Sequence, residues 1–244
     1  MTRIWQADFE SGDLSQLLSP LDRDPREDSG AAYRPRNGVS REQAHSGLYS
    51  AKMSIDSDVP HSGCRLFRKF ECWQDAQAYV YGAWFYFPKF VRVDGWWNIW
   101  QFKANVDQQS MVAWKLEVRN PTPDTMALML VWDMAPILGP FANYSLAAVH
   151  RVEQPGAANG GALALPVGEW VHIEVGLLQS ADFDGEICVY QDDVELFGLT
   201  GIRTKPEGGS QNWSVNNYGQ RLRPDNRRQR VHLYVDDMTI DSLV

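Results

Sequence analysis

The chain has 244 residues, a net charge of −8 and an aromatic complement of ten Trp, ten Phe and nine Tyr. That length can bury a substantial core as one large all-β domain, residues 1–244, without dividing. No apolar run approaches the roughly 18 residues that span a membrane, the composition is not that of a disordered chain, and the acidic balance argues against a nucleic-acid partner. It leaves room for an anionic polymer, because local patches matter more than the total.

The N-terminus, Met1-Thr2-Arg3-Ile4-Trp5, carries no hydrophobic leader and enters a strand at once. The expectation is a secreted or periplasmic protein whose leader has been removed, with a cytoplasmic one the alternative. Period-two or fully apolar β-type runs follow at 4–9, 39–43, 48–55, 65–70, 77–87, 96–104, 111–119 and 125–133. They continue at 143–152, 169–178, 186–191, 194–199, 212–218 and 231–241. Asp94-Gly95, Asn120-Pro121, Pro166-Val167-Gly168 and Asp184-Gly185 punctuate them as turns. No stretch shows a sustained helical period. Short, evenly spaced strands predict an antiparallel β-sandwich jelly roll, with one curved, concave sheet forming a groove. Residues 11–38 and 153–166 read as long surface loops at its rim. Cys64, Cys72 and Cys188 form no metal-binding pattern. They are either three buried thiols or one disulfide, Cys64–Cys72 being the nearest pair, and a leftover thiol.

The run Trp96-Trp97-Asn98-Ile99-Trp100-Gln101-Phe102-Lys103 carries the most chemistry. Strand alternation puts Trp96, Asn98, Trp100 and Phe102 on one face and Trp97, Ile99, Gln101 and Lys103 on the other. Trp100 and Phe102 then belong to the core, and Trp97 beside Gln101 and Lys103 becomes a stacking platform for a sugar ring. In the next strand Trp114, Leu116 and Val118 oppose Lys115, Glu117 and Arg119. Asp182, Asp184 and Glu186 alternate in the manner of a glycosidase acid set, but the surrounding residues read as a surface hairpin with a tight turn at Asp192-Asp193.

Near the C-terminus, Trp213-Ser214-Val215-Asn216-Asn217-Tyr218-Gly219 precedes a segment with Arg221, Arg223, Arg227, Arg228 and Arg230. A Tyr beside amides and arginines suits proton transfer, since cationic neighbours favour the phenolate. At the two ends, Asp8-Phe9-Glu10-Ser11-Gly12-Asp13 and Tyr234-Val235-Asp236-Asp237-Met238 resemble the opening and closing strands of many carbohydrate-binding jelly rolls. That resemblance implies a structural calcium held by Glu10 and by Asp236 or Asp237 with backbone carbonyls, a donor set calcium accepts. By alternation Asp236 shares a face with Tyr234, Met238 and Ile240.

Together with Gly168-Glu169-Trp170-Val171-His172-Ile173-Glu174 and Asp184-Gly185-Glu186-Ile187, these motifs follow one order along nearly the whole chain. In that order the chain resembles the jelly-roll polysaccharide lyases related to glucuronan lyase, and more distantly heparin lyase I and alginate lyases, all of the concanavalin A-like lectin and glucanase fold. The resemblance implies β-elimination on an acidic polysaccharide. Gln101, Lys103 and Asn217 would neutralise the uronate carboxylate, and Tyr218 would transfer the proton, with His61 (or His45) as the other candidate base. Trp97, Arg119, Lys115, Trp132, Arg221 and Arg223 would line the polymer's path. No organic cofactor is implied. The alternative is a non-catalytic carbohydrate-binding module of the same fold, its exposed aromatics Trp97 and Trp132 stacking on sugars.

Overall fold

A computed structural model describes residues 1–17, 36–56, 63–69, 77–106, 109–133, 150–157, 160–207, 210–224 and 230–243. Within them the chain forms β1 (Thr2–Ala7), β2 (Arg36–Ser40), β3 (Ser50–Asp56), β4 (Gly63–Lys69), β5 (Ala78–Tyr86), β6 (Val91–Val106) and β7 (Gln109–Arg119). These are followed by β8 (Ala127–Trp132), β9 (His150–Val152), β10 (Trp170–Leu178), β11 (Gly185–Gln191), β12 (Val194–Ile202), β13 (Ser210–Pro224) and β14 (Arg230–Ser242). A 3-10 turn, Ser15–Leu17, follows β1.

The strands pair antiparallel into two sheets. The larger runs β12-β11-β10-β5-β14-β3-β2, with β1 also on β14; the smaller runs β4-β13-β6-β7-β8-β9. This is the sandwich that the spacing of the runs predicts. The hairpin of β11 and β12 turns on Asp192 and Asp193, both at positive φ (48° and 65°), the backbone that a two-residue primed turn demands. The sheets close on an aromatic core. Trp100 lies 5.0 Å from Trp213, and Tyr81 meets Phe102 edge-on at 5.0 Å. Each such buried ring removes on the order of 150–250 Å² from water, about 4–6 kcal/mol at the usual area coefficient.

Two segments depart from the expected pattern. Asp94-Gly95 is not a turn but the interior of β6, which starts at Val91. There a Cβ on Gly95 would sit 2.2 Å from the Gln220 carbonyl oxygen, so the residue is glycine because two backbones nearly touch. Gln220 to Pro224, read as the start of an arginine-rich loop, continues β13; Arg227 and Arg228 lie outside the described residues, as do His61, Cys72 and most of the expected 143–152 strand. Cys64 donates to the Ser54 carbonyl and Cys188 to that of Gly176.

Candidate active site

The outer face of the six-stranded sheet is polar because of a β-bulge. Along β6, Trp97 pairs with Val118 and Trp100 with Leu116, while Asn98 pairs with Glu117 and Gln101 with Lys115; the register slips between Asn98 and Trp100. Ile99 is the extra residue. Alternation restarts after it, so Trp96 and Asn98 share the outer face with Gln101 and Lys103, while Trp97 joins Trp100 and Phe102 inside. Strict alternation therefore misplaced the residues before the bulge. Trp97 is fully buried, packed edge-on against Phe87 at 5.7 Å, and is not a stacking platform.

The neighbouring strands bring matching groups to the same face. In β13, Ser214, Asn216 and Tyr218 stand opposite Phe67, Arg65 and Gly63 of β4, and Ser214 and Tyr218 stand opposite Gln101 and Asn98 of β6. An amide chain links them. Ser214 Oγ donates to Asn216 Oδ1 at 3.1 Å, Asn216 Nδ2 to Asn98 Oδ1 at 2.9 Å, and Asn98 Nδ2 to Gln101 Oε1 at 3.2 Å. Each amide in the chain spends its oxygen on the group before it. The chain ends on Gln101 Nε2, which is buried and has no hydrogen-bond partner among the described residues. An unsatisfied buried donor costs about 1–3 kcal/mol, which an incoming acceptor would recover.

The charges on this face are unequally committed. Lys115 Nζ lies 2.7 Å from Asp133 and 3.0 Å from buried Glu117. Arg119 binds the other Glu117 oxygen and the Gly95 carbonyl. Both cations therefore hold acids already. Lys103 has no acid partner among the described residues, and burial with the nearby Arg65 charge lowers its ammonium below the usual lysine range. Tyr218 meets Trp96 edge-on at 4.6 Å. Burial raises its phenol above the ordinary value, opposed by the positive charges of Arg65 and Lys115. A donor without an acceptor, an ammonium without an acid and a phenol between cations are suited to receive a carboxylate and move a proton beside it.

Other expected residues sit elsewhere. Asn217, next to Tyr218, faces inward by plain alternation. It is fully buried, accepts from Trp97 Nε1 at 2.9 Å and donates to the carbonyls of Met53 and Val231, each at 3.1 Å. It clamps the two sheets together and cannot reach a ligand; Asn216 is the amide on the outer face. Trp132 is likewise internal, 4.7 Å from Trp114, and offers no surface to a sugar. Arg221 and Arg223 are exposed beyond a second register shift in β13, where Arg223 pairs with Asp94 at 3.4 Å. His61 lies outside the described residues. His45 lies in the loop before β3, against the other sheet, stacked on Trp84 at 3.7 Å. Arg65 had no motif of its own, and only the pairing of β4 with β13 brings it to Tyr218; Asn98 and Asn216 stood within the quoted runs with no role assigned to them.

The acids at the chain ends converge on the loop 45–49. Glu10 Oε1 accepts from Leu48 N at 2.9 Å and Tyr49 N at 2.8 Å. Asp236 Oδ2 accepts from His45 N at 2.9 Å and Ser46 N at 3.3 Å. A Cβ on Gly47, at φ +58°, would lie 2.3 Å from the Glu10 carboxyl carbon. A register shift between Asp236 and Thr239 sends Asp236 outward with Tyr234, opposite Met238 and Ile240 rather than beside them. The loop then covers it completely, and burial pushes its carboxyl up to about 6. Asp237 meets His45 Nδ1 at 2.7 Å. Among the described residues no three acids, histidines or cysteines gather as a metal cage, so an ion here would draw most of its oxygens from the backbone.

A family model described as "Polysaccharide lyase" matches residues 10–231. No curated protein matches the chain in sequence. Among solved structures, the endo-β-1,4-glucuronan lyase of the fungus Trichoderma reesei is similar with a TM-score of 0.68 at 12% identity, over 98% of this chain and 95% of that one. A marine alginate lyase from Aplysia kurodai gives 0.60 at 11% identity, over 99% and 100%. Alginate lyase vAL-1 from Chlorella virus gives 0.58 at 11%, over 85% and 89%. At such identities the likeness is one of fold.

Proposed function

The chain belongs to the polysaccharide lyase family, and from that premise we propose that it cleaves a uronic-acid-containing polysaccharide by β-elimination on the outer face of the six-stranded sheet. The reaction removes the proton at C5 of a uronate and expels the 4-O-glycosyl group, leaving a C4–C5 double bond. The C5 proton is poorly acidic while the adjacent carboxylate keeps its full charge. Gln101 Nε2 and Lys103 bind that carboxylate and stabilise the enolate-like charge that develops on it. Tyr218, in the phenolate form that Arg65 and Lys115 favour against the effect of burial, takes the C5 proton, and the resulting phenol can return it to the departing oxygen. Asn98 and Asn216 hold Gln101 in place, and Glu117 fixes Lys115 and Arg119 at the flank.

The observation that carries this reading is the juxtaposition, on one face, of an amide donor and a lysine that have no acceptor or acid among the described residues with Tyr218. A purely sugar-stacking module is less well supported, since its two expected platforms, Trp97 and Trp132, are internal. The test is ultraviolet absorbance of the unsaturated product with glucuronan and alginate as substrates. Tyr218→Phe should lower kcat by about 10²–10⁴-fold with polymer binding retained; full activity in that variant would remove Tyr218 from the mechanism.

We also propose a structural calcium at the loop 45–49, held by Glu10 and Asp236 with backbone carbonyls. Its support is a fully buried carboxylate whose partners are all amide groups, beside a second acid, Asp237. A cation would offset that accumulated charge.

A further inference from the structure

The outer face of the eight-stranded sheet carries a continuous row of rings. Tyr234 meets Tyr86 edge-on at 5.9 Å, Tyr86 lies 5.4 Å from Trp170, Trp170 5.8 Å from His45, and His45 stacks on Trp84 at 3.7 Å. At the Tyr234 end the row opens into a cavity of about 340 Å³, where β14 and β3 meet the connection from β5 to β6. Lys52, Lys89, Arg230 and His232 line it, with Val91 and Pro224 on its apolar wall.

The cavity is a positive site in an acidic chain. Its only acid among the described residues, Glu42, is occupied: it holds Lys52 Nζ at 2.6 Å and accepts from Tyr234 Oη at 2.5 Å. His232 Nδ1 lies 2.8 Å from Ser54 Oγ, which fixes the ring and leaves Nε2 as its other polar edge. Burial and the charges of Lys52, Arg230 and Lys89 hold this imidazole below its usual range, with Glu42 opposing. Such a field draws in an anion. The apolar wall and Tyr234 suit the carbon face of a sugar ring, while the Tyr234 hydroxyl oxygen, whose proton goes to Glu42, can accept from a sugar hydroxyl, and the volume falls within the ordinary range for small-ligand sites.

We infer that this cavity is a second saccharide site, remote from the catalytic face, that binds a carboxylate-bearing sugar of the polymer and leads the chain along the aromatic row. The choice of sugar rests on the lyase reading above. Lys89 is exposed and on the rim, so Lys89→Glu can be made without disturbing the fold. In a Tyr218→Phe background, which spares the polymer, Lys89→Glu should weaken retention in glucuronan or alginate affinity gels about fivefold. With Tyr218 intact, the same substitution should leave kcat/KM on a short oligouronate unchanged. Undiminished retention would overturn the inference, as would Lys89-dependent binding of millimolar inorganic phosphate that leaves polymer retention by the parent unchanged, which would make the cavity a phosphate site. The two readings fail separately. If the wild type cleaves no uronate polymer but Lys89→Glu still weakens binding, the lyase assignment falls and the cavity stands; if cleavage is normal and retention unchanged, the reverse holds.

Discussion

Asn216 and Asn217 are adjacent amides with opposite duties, and sequence order alone cannot tell them apart. Asn217 satisfies the Trp97 indole and two carbonyls of the opposing sheet. Asn217→Ala should cost about 2–4 kcal/mol, because it strands buried partners as well as losing their bonds; thermal unfolding measures it. Asn216→Ala should cost little more than about 1 kcal/mol in stability but lower kcat/KM about ten- to a hundredfold, since Gln101 loses the chain that orients it. Equal stability losses in the two variants would contradict this division. The expectation for Tyr218 rests on its amide and arginine neighbours in sequence. Counting back by two from it would have found Asn216, so the assignment of Asn217 to the site was an avoidable error of alternation.

At the level of the strand, the runs of β-branched and aromatic residues announced the described strands closely, because pleated, half-buried surfaces select those residue types. The bulges were not legible. Nothing in Trp97-Asn98-Ile99-Trp100 marks Ile99 as the extra residue, since all four are buried and only pairing with β7 reveals the slip. The same holds at Asp236, where a shift exchanged inner for outer faces. Gly95 is the reverse case: its turn-like sequence hides a close crossing of backbones. Gly95→Ala should force β6 from β13 and destabilise the protein by about 1–3 kcal/mol. It should also cost activity, because the Gly95 carbonyl holds Arg119; an unchanged melting temperature would show that the strands have slack there.

For the molecule as a whole, family and sandwich architecture could be read from motif order, whereas the meeting of Arg65, Lys103 and Tyr218 could not, because it joins strands distant in sequence. The ends of the chain meet at the loop 45–49, so the proposed calcium would act on global stability. Removing it with a chelator should lower Tm by about 5–10 °C, taking an ion at about a hundred times its dissociation constant as worth about 2.7 kcal/mol. Glu10→Gln should produce a similar drop and remove the chelator's effect. A Tm indifferent to chelation would leave the loop held by its amide bonds alone.

The clamp made by Asn217 also sets how the catalytic face can fluctuate. Its carboxamide bonds to β3 and β14 while its backbone lies in β13, next to Tyr218. Local opening of that stretch must break contacts in both sheets at once, so its amide protons should exchange with solvent only through global unfolding. A surface that rigid spends little conformational entropy when a long, flexible polymer is laid along it, and the ordering penalty falls mainly on the sugar chain.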